Sequence, residues 1–157
     1  MQQSIASSGQ RGTHVMSLSN REYLVFGLDW TPLVGGDPTK LGRQRARSLR
    51  ATHYLIKGGM TAVVGCGIIH KGDVSDSSNL PERTRSFHAA GAIFALAHQE
   101  GVIAAICFIP ERGYWFVAAN GGLVLAQTDR WFDSIDEADA ALLVLKERFP
   151  NLKVLRY

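Results

Sequence analysis

The chain has 157 residues, 46% apolar and 20% charged, enough to bury one self-supporting core with the composition of an ordinary globular domain. Its formal charge of +3 is too small to demand a nucleic-acid partner. Two cysteines, Cys66 and Cys107, each within an apolar run, exclude a disulfide framework or a C-x-x-C zinc site and read as buried free thiols suited to a reducing compartment. No apolar run reaches the roughly 18 residues needed to span a membrane.

The first 20 residues are rich in Ser, Gly and Gln and read as a disordered polar tail without a signal-peptide core. Met16 is an alternative start, because MSLSNREYLVFG leads directly into the first predicted strand. Residues 21–157 read as a single domain. Glu22–Trp30 is β-rich and Thr31–Gly36 a loop. Asp37-Pro38 opens a helix, with Asp as cap and Pro at the first helical position, and this helix runs to about Arg50. His53–Lys57, the Gly58-Gly59 turn and Met60–Ile69 form a hairpin. His70–Pro81 is a polar loop.

A second, alanine-rich helix is expected over Glu82–Glu100, closed by Gly101 and buried at the centre of the fold. Val102–Pro110 and Tyr114–Asn120 form a hairpin around Glu111-Arg112-Gly113, and Leu123–Gln127 adds a third antiparallel strand. Ser134 and Glu137 make a capping box for a third helix, whose apolar stripe is Ala138, Leu142, Leu145 and Phe149. Pro150 stops it before a last strand at Leu152–Leu155. The predicted class is α+β or α/β: a mixed sheet with a three-stranded antiparallel segment and three helices.

Chemistry-bearing patterns are sparse. Lys40, Arg43, Arg47 and Arg50 fall on one arc of the first helix, either a solvated face, a docking stripe for an acidic partner or a weak nucleic-acid contact. No recognised nucleic-acid motif accompanies them. Asp129, Asp133, Asp136, Glu137 and Asp139 cluster near the start of the third helix, where the helix dipole favours anions. Trp30 and Trp131 are candidate aromatic anchors for a partner, Trp131 also being a candidate core residue. Gly35-Gly36, Gly58-Gly59 and Gly65-Cys66-Gly67 lack the context of phosphate-binding loops and read as turns or close backbone approaches. The five histidines are scattered; no metal pair, nucleophile elbow or cofactor-binding motif is present.

Three blocks carry a family resemblance: YLVFGLDWTPL (Tyr23–Leu33), SFHAAGAIFALA (Ser86–Ala97) and YWFVAANGGLVLAQTDRWFDSIDEA (Tyr114–Ala138). In the last, YW, a five-residue gap, GG, TD and D..DEA follow in order. Together they resemble the cytoplasmic N-terminal domain of the type IVb pilus inner-membrane accessory protein, the PilO-type pilin accessory family. That resemblance implies an actin-like domain of a secretion platform, at the inner face of the inner membrane, which docks the assembly ATPase or neighbouring platform components. The chain departs from the pattern in having no membrane helix before Tyr157, leaving a shortened form and a free-standing relative both open.

Asp-Gly phosphate turns are also missing, so ATP hydrolysis is not expected. The expected role is a non-enzymatic assembly module without cofactor or metal. Its candidate partner-binding residues are Lys40, Arg43, Arg47, Arg50, Trp30, Trp131, Asp133 and Asp136. The alternative is a small enzyme or nucleotide-binding protein with a site under the 70–81 loop.

Overall fold

The chain breaks its first long apolar run at Gly27-Leu28, and that break organises the fold. The structure is a computed structural model describing residues 12–74 and 84–157. Strand β2 (Glu22–Phe26) ends before Gly27, whose φ is +75°, a backbone conformation open chiefly to glycine. The chain then re-enters extended structure as β3 (Asp29–Leu33) in a different sheet. The single strand expected over Glu22–Trp30 is thus two strands that share no sheet. Composition does not reveal this, because the apolar run Tyr23–Phe26 resumes at Leu28 and Trp30 just beyond Gly27.

β2 lies between β1 (His14–Ser17), antiparallel to it, and β6 (Ser86–Ala89), parallel to it. The expected disordered tail over residues 1–20 is therefore corrected: Val15 is buried in the core and Met16 sits inside β1. Residues 1–11 of that tail lie outside the described residues.

The second sheet has β5 (Ala62–Gly67) at its centre, antiparallel to both β3 and β4 (His53–Gly58). The hairpin expected here is present. Pro32 falls on β3, an edge strand, where its missing N–H leaves no gap in a central ladder. Helix α1 (Pro38–Ser48) covers one face of this sheet, burying Gly42 and Ala46 against Val64 and Cys66. A methyl on Gly42 would meet Ile56 Cδ1 at 2.5 Å, so the helix rests almost directly on β4. Asp37 caps α1 as expected, its Oδ1 accepting from the Thr39 N–H at 2.8 Å.

The third sheet runs β10 (Arg130–Phe132), β8 (Gly113–Asn120), β7 (Val102–Ile109), β11 (Lys153–Arg156), with β9 (Leu123–Val124) also on β8. The β7–β8 hairpin and the final strand are as expected, and β11 joins β7 in parallel. The third antiparallel strand shrinks to the two residues of β9. Helix α3 (Ile135–Arg148) packs Ala138, Leu142 and Leu145 on this sheet. Half of the expected capping box is present: Ser134 Oγ accepts from the Glu137 N–H at 3.3 Å, but the Glu137 carboxylate accepts from the Asp133 N–H rather than from that of Ser134.

The long second helix is corrected. Ser86–Ala89 is strand β6, and the helix, α2, spans only Ala90–Ala97. It buries its small residues, Ala90, Gly91, Ala92 and Ala95, and turns Ile93 and Leu96 outward. Small side chains let its backbone approach β8 and β2 closely, and that approach decides which side faces in.

Among the described residues the chain forms 11 strands and three helices in three sheets, an α+β arrangement. The single mixed sheet expected is thus replaced by three. One contiguous core joins them: Val25 from the first sheet, Trp30 and Val63 from the second, Val117 and Ala119 from the third, with α2 between. Among the described residues no helix is long and apolar enough to cross a membrane.

Candidate functional site

Asp129 lies where the three sheets meet and is only 3% exposed. Its Oδ1 accepts from the Gly27 N–H (2.8 Å) and the Trp115 indole (2.8 Å). Oδ2 accepts from the Leu28 N–H (3.1 Å) and the Trp30 indole (2.9 Å). The broken backbone between β2 and β3 thus supplies two donors, β3 a third and β8 the fourth. Gly91 of α2 closes over the carboxylate, so tightly that a methyl there would sit 3.1 Å from Oδ2. Burial pushes the Asp129 carboxyl up from the usual range, while the four N–H donors oppose that rise.

With two donors on each oxygen the carboxylate has no free lone pair directed at a substrate. Asp129 is therefore a structural node, and it leaves the acidic cluster in which its sequence position placed it. The preceding residue reinforces this corner: the Thr128 hydroxyl accepts from the Ala118 N–H at 3.0 Å and donates to the Leu125 carbonyl at 2.8 Å.

A cleft of about 950 Å³ opens beside the node, lined by Asp29, Arg45, Cys66, His70 and Arg130 among others. Its charged groups are only partly engaged: the buried Arg130 Nε has no hydrogen-bond partner among the described residues. Arg45 reaches Asp29 at 3.5 Å and donates from Nε to Thr31 Oγ1 at 3.2 Å. The Arg130 guanidinium lies over the Phe132 ring, 5.5 Å from its centroid. Burial, then the nearby Asp29 carboxylate, push the Cys66 thiol up, with Arg45 opposing; a thiol held in that direction is a poor nucleophile. The His70 N–H donates to Asp73 Oδ2 at 2.7 Å, closing a local turn. Among the described residues no three His, Cys, Asp or Glu side chains converge as metal ligands. Residues 75–83 of the predicted 70–81 loop and its far flank lie outside the described residues.

The charged residues among the predicted contacts separate into two groups. Lys40, Arg43 and Arg47 are exposed on α1, and among the described residues none makes a side-chain hydrogen bond or ion pair. Arg50 is also exposed but lies beyond the helix, in the left-handed region at φ +52°, so the helical arc that grouped it with the others does not extend to it. Asp133 and Asp136 are exposed at the start of α3, on a different layer from α1. The structure does not bring the basic and acidic groups together.

Trp30 and Trp131 are not surface anchors. They are 2% and 0% exposed, Trp30 spent on Asp129 and Trp131 packed against Phe26 and His14. The apolar demand of a three-sheet core outweighs the enrichment of tryptophan at interfaces.

Sequence reasoning missed the Asp129 node. A signal was present: tryptophans in apolar strands bring indole N–H groups that favour an acceptor when buried, and Asp129 directly precedes an aromatic strand; Trp30 and Trp115 find that acceptor in Asp129, while the buried Trp131 N–H has no hydrogen-bond partner among the described residues. No protein-family model matches the chain, and no curated protein matches it.

Proposed function

We propose that this domain is a non-enzymatic docking module and that the outer face of α1 is its contact surface for an acidic protein partner. The observation carrying this reading is the row formed by Lys40, Arg43 and Arg47: three exposed cations without an anionic partner among the described residues. They stand on a helix pinned to its sheet by Gly42 and Ala46. Their desolvation on binding is small, and their role is to steer and select a partner. By contrast, the buried carboxylate has all its acceptor positions occupied, and in the cleft Arg45 is engaged with Asp29 and Thr31.

The family resemblance supplies the setting. On that reading the domain is actin-like, works at the cytoplasmic face of the inner membrane in a type IV pilus or related secretion platform, and docks the assembly ATPase or neighbouring platform proteins without hydrolysing nucleotide. The test is direct binding of the purified full chain to the assembly ATPase of a type IV pilus system. Capture should fall at least about tenfold when Arg43→Glu and Arg47→Glu are combined. Capture unchanged by that pair, or a rise in melting temperature with ATP and Mg²⁺, which only a folded-state ligand produces, would move the function to the cleft.

A further inference from the structure

Helix α3 presents a second unpartnered face. At about 100° per residue, Asp136, Ala140, Leu143, Val144 and Glu147 fall within one outward arc about 100° wide. All five are exposed, and Leu143 and Val144 are each 61% exposed in spite of lying mid-helix. Asp136 and Glu147 close the two ends of this apolar patch, and neither has an ion-pair partner among the described residues. Other charges on α3 are placed differently. Asp139 pairs with Arg156, Glu137 accepts from the Asp133 N–H at 3.3 Å, and Lys146 and Arg148 lie off the arc, Arg148 over the Phe149 ring.

We infer that the outer face of α3 receives the α1 face of a second copy of this chain, giving head-to-tail association. This rests on the reading of α1 as a docking surface and names one occupant for it. Charge complementarity carries the inference. Lys40 and Arg47 are about 10 Å apart along α1, and Asp136 and Glu147 about 16 Å apart along α3. Long cationic side chains span that difference, and their aliphatic stems cover Leu143 and Val144 while the charged heads stay at the rim.

α1 covers the β3–β5–β4 sheet and α3 the β10–β8–β7–β11 sheet, on separate layers. The two patches therefore differ, and one copy cannot satisfy its own. An interface between two different patches is heterologous, so each added copy exposes a new α1 and a new α3 for the next.

The experiment is sedimentation velocity on the full chain over about a hundredfold concentration range at low and high salt. The wild type should associate, and more weakly at high salt. Arg43→Glu with Arg47→Glu, and separately Asp136→Lys with Glu147→Lys, should each lower the association constant at least about tenfold. Mixing the two variants should restore a complex, because each then offers a face complementary to the other's.

Leu143→Asp should also dissociate the wild type, and unchanged urea midpoints would show that all variants fold. A wild type that stays monomeric throughout, association indifferent to both reversals, or a mixture that stays monomeric would overturn the inference. If the wild type is monomeric while ATPase capture still depends on Arg43 and Arg47, the docking face stands and the second copy is not its occupant. If the mixture reassociates while the ATPase is not captured, self-association stands and the partner assignment falls.

Discussion

Trp30 on β3 and Trp115 on β8 point their indole N–H groups at opposite oxygens of one carboxylate, Asp129, at 2.9 and 2.8 Å. Two strands that share no ladder are thereby fixed relative to each other, and the Gly27 and Leu28 N–H groups tie in the end of a third strand. Neutral packing alone would leave three buried donors and the half-buried Gly27 N–H without acceptors, which is costlier than the net value of the bonds themselves.

Replacing Asp129 tests that arrangement. Asn offers one acceptor oxygen and one NH₂ group, so two of the four N–H donors face another donor. Asp129→Asn should cost about 3 kcal/mol and Asp129→Ala more, since each orphaned buried donor is worth roughly 1–3 kcal/mol. Urea unfolding followed by tryptophan fluorescence measures both. A loss under about 0.5 kcal/mol for the Asn variant, the range of ordinary surface changes, would refute the node.

The pH dependence follows from the direction of the Asp129 shift. Burial, the largest cause, raises the folded carboxyl above its usual value. The folded protein then holds a proton at a pH where the unfolded chain has released it. This contribution is fully present below about pH 4 and is lost as pH rises through the raised folded value. The stability difference between wild type and Asp129→Asn should therefore narrow over that window. A difference that stays flat or widens would show that the four N–H donors outweigh burial.

Gly65 holds Trp30 in place. A methyl at Gly65 would come within 2.9 Å of three atoms of the Trp30 ring. That ring is rigid and anchored at its nitrogen, so the clash has little room to relax. Gly65→Ala should destabilise by about 1–3 kcal/mol, as overpacking does, and should alter the tryptophan emission spectrum. An unperturbed spectrum with unchanged stability would mean that the ring has room to move.

Starting the chain at Met16 removes His14 and Val15 from β1, together with Thr13, whose hydroxyl oxygen accepts from the Ile68 N–H at 3.2 Å. Val15 is buried in the main core. The shortened chain should lose about 2–3 kcal/mol, the scale of one buried aliphatic side chain together with its ladder bonds. Thermal unfolding compared with the full chain decides it, and equal midpoints would make β1 dispensable.

Lys40, Arg43 and Arg47 should behave in the opposite way. Single alanine substitutions at these exposed, unpaired positions should change stability by no more than about 0.5 kcal/mol. A larger loss on urea unfolding would make the stripe a folding element and weaken its claim as a contact surface.

Local signals in the chain were sufficient for the elements that depend on local chemistry. Asp37-Pro38 and Ser134 mark helix starts because their side chains or rings satisfy helix ends within a few residues. Gly58-Gly59 and Glu111-Arg112-Gly113 mark hairpins because turn geometry is local. The close approach expected at Gly65-Cys66-Gly67 is equally real, with Trp30 lying over Gly65. The α+β class and the exposure of Lys40, Arg43 and Arg47 follow from the same patterns.

Tertiary structure alone decided the rest. Ser86–Ala89 reads as helix by composition yet pairs with β2, because a parallel ladder over distant sequence outweighs a weak local preference. One apolar run became two strands because Gly27 and Leu28 turn their N–H groups toward a carboxylate about a hundred residues away. Asp129 changed from a surface acid to the centre of the molecule for the same reason. Local sequence fixes what a residue can donate or accept, while only the assembled sheets determine which partner is within 3 Å of it.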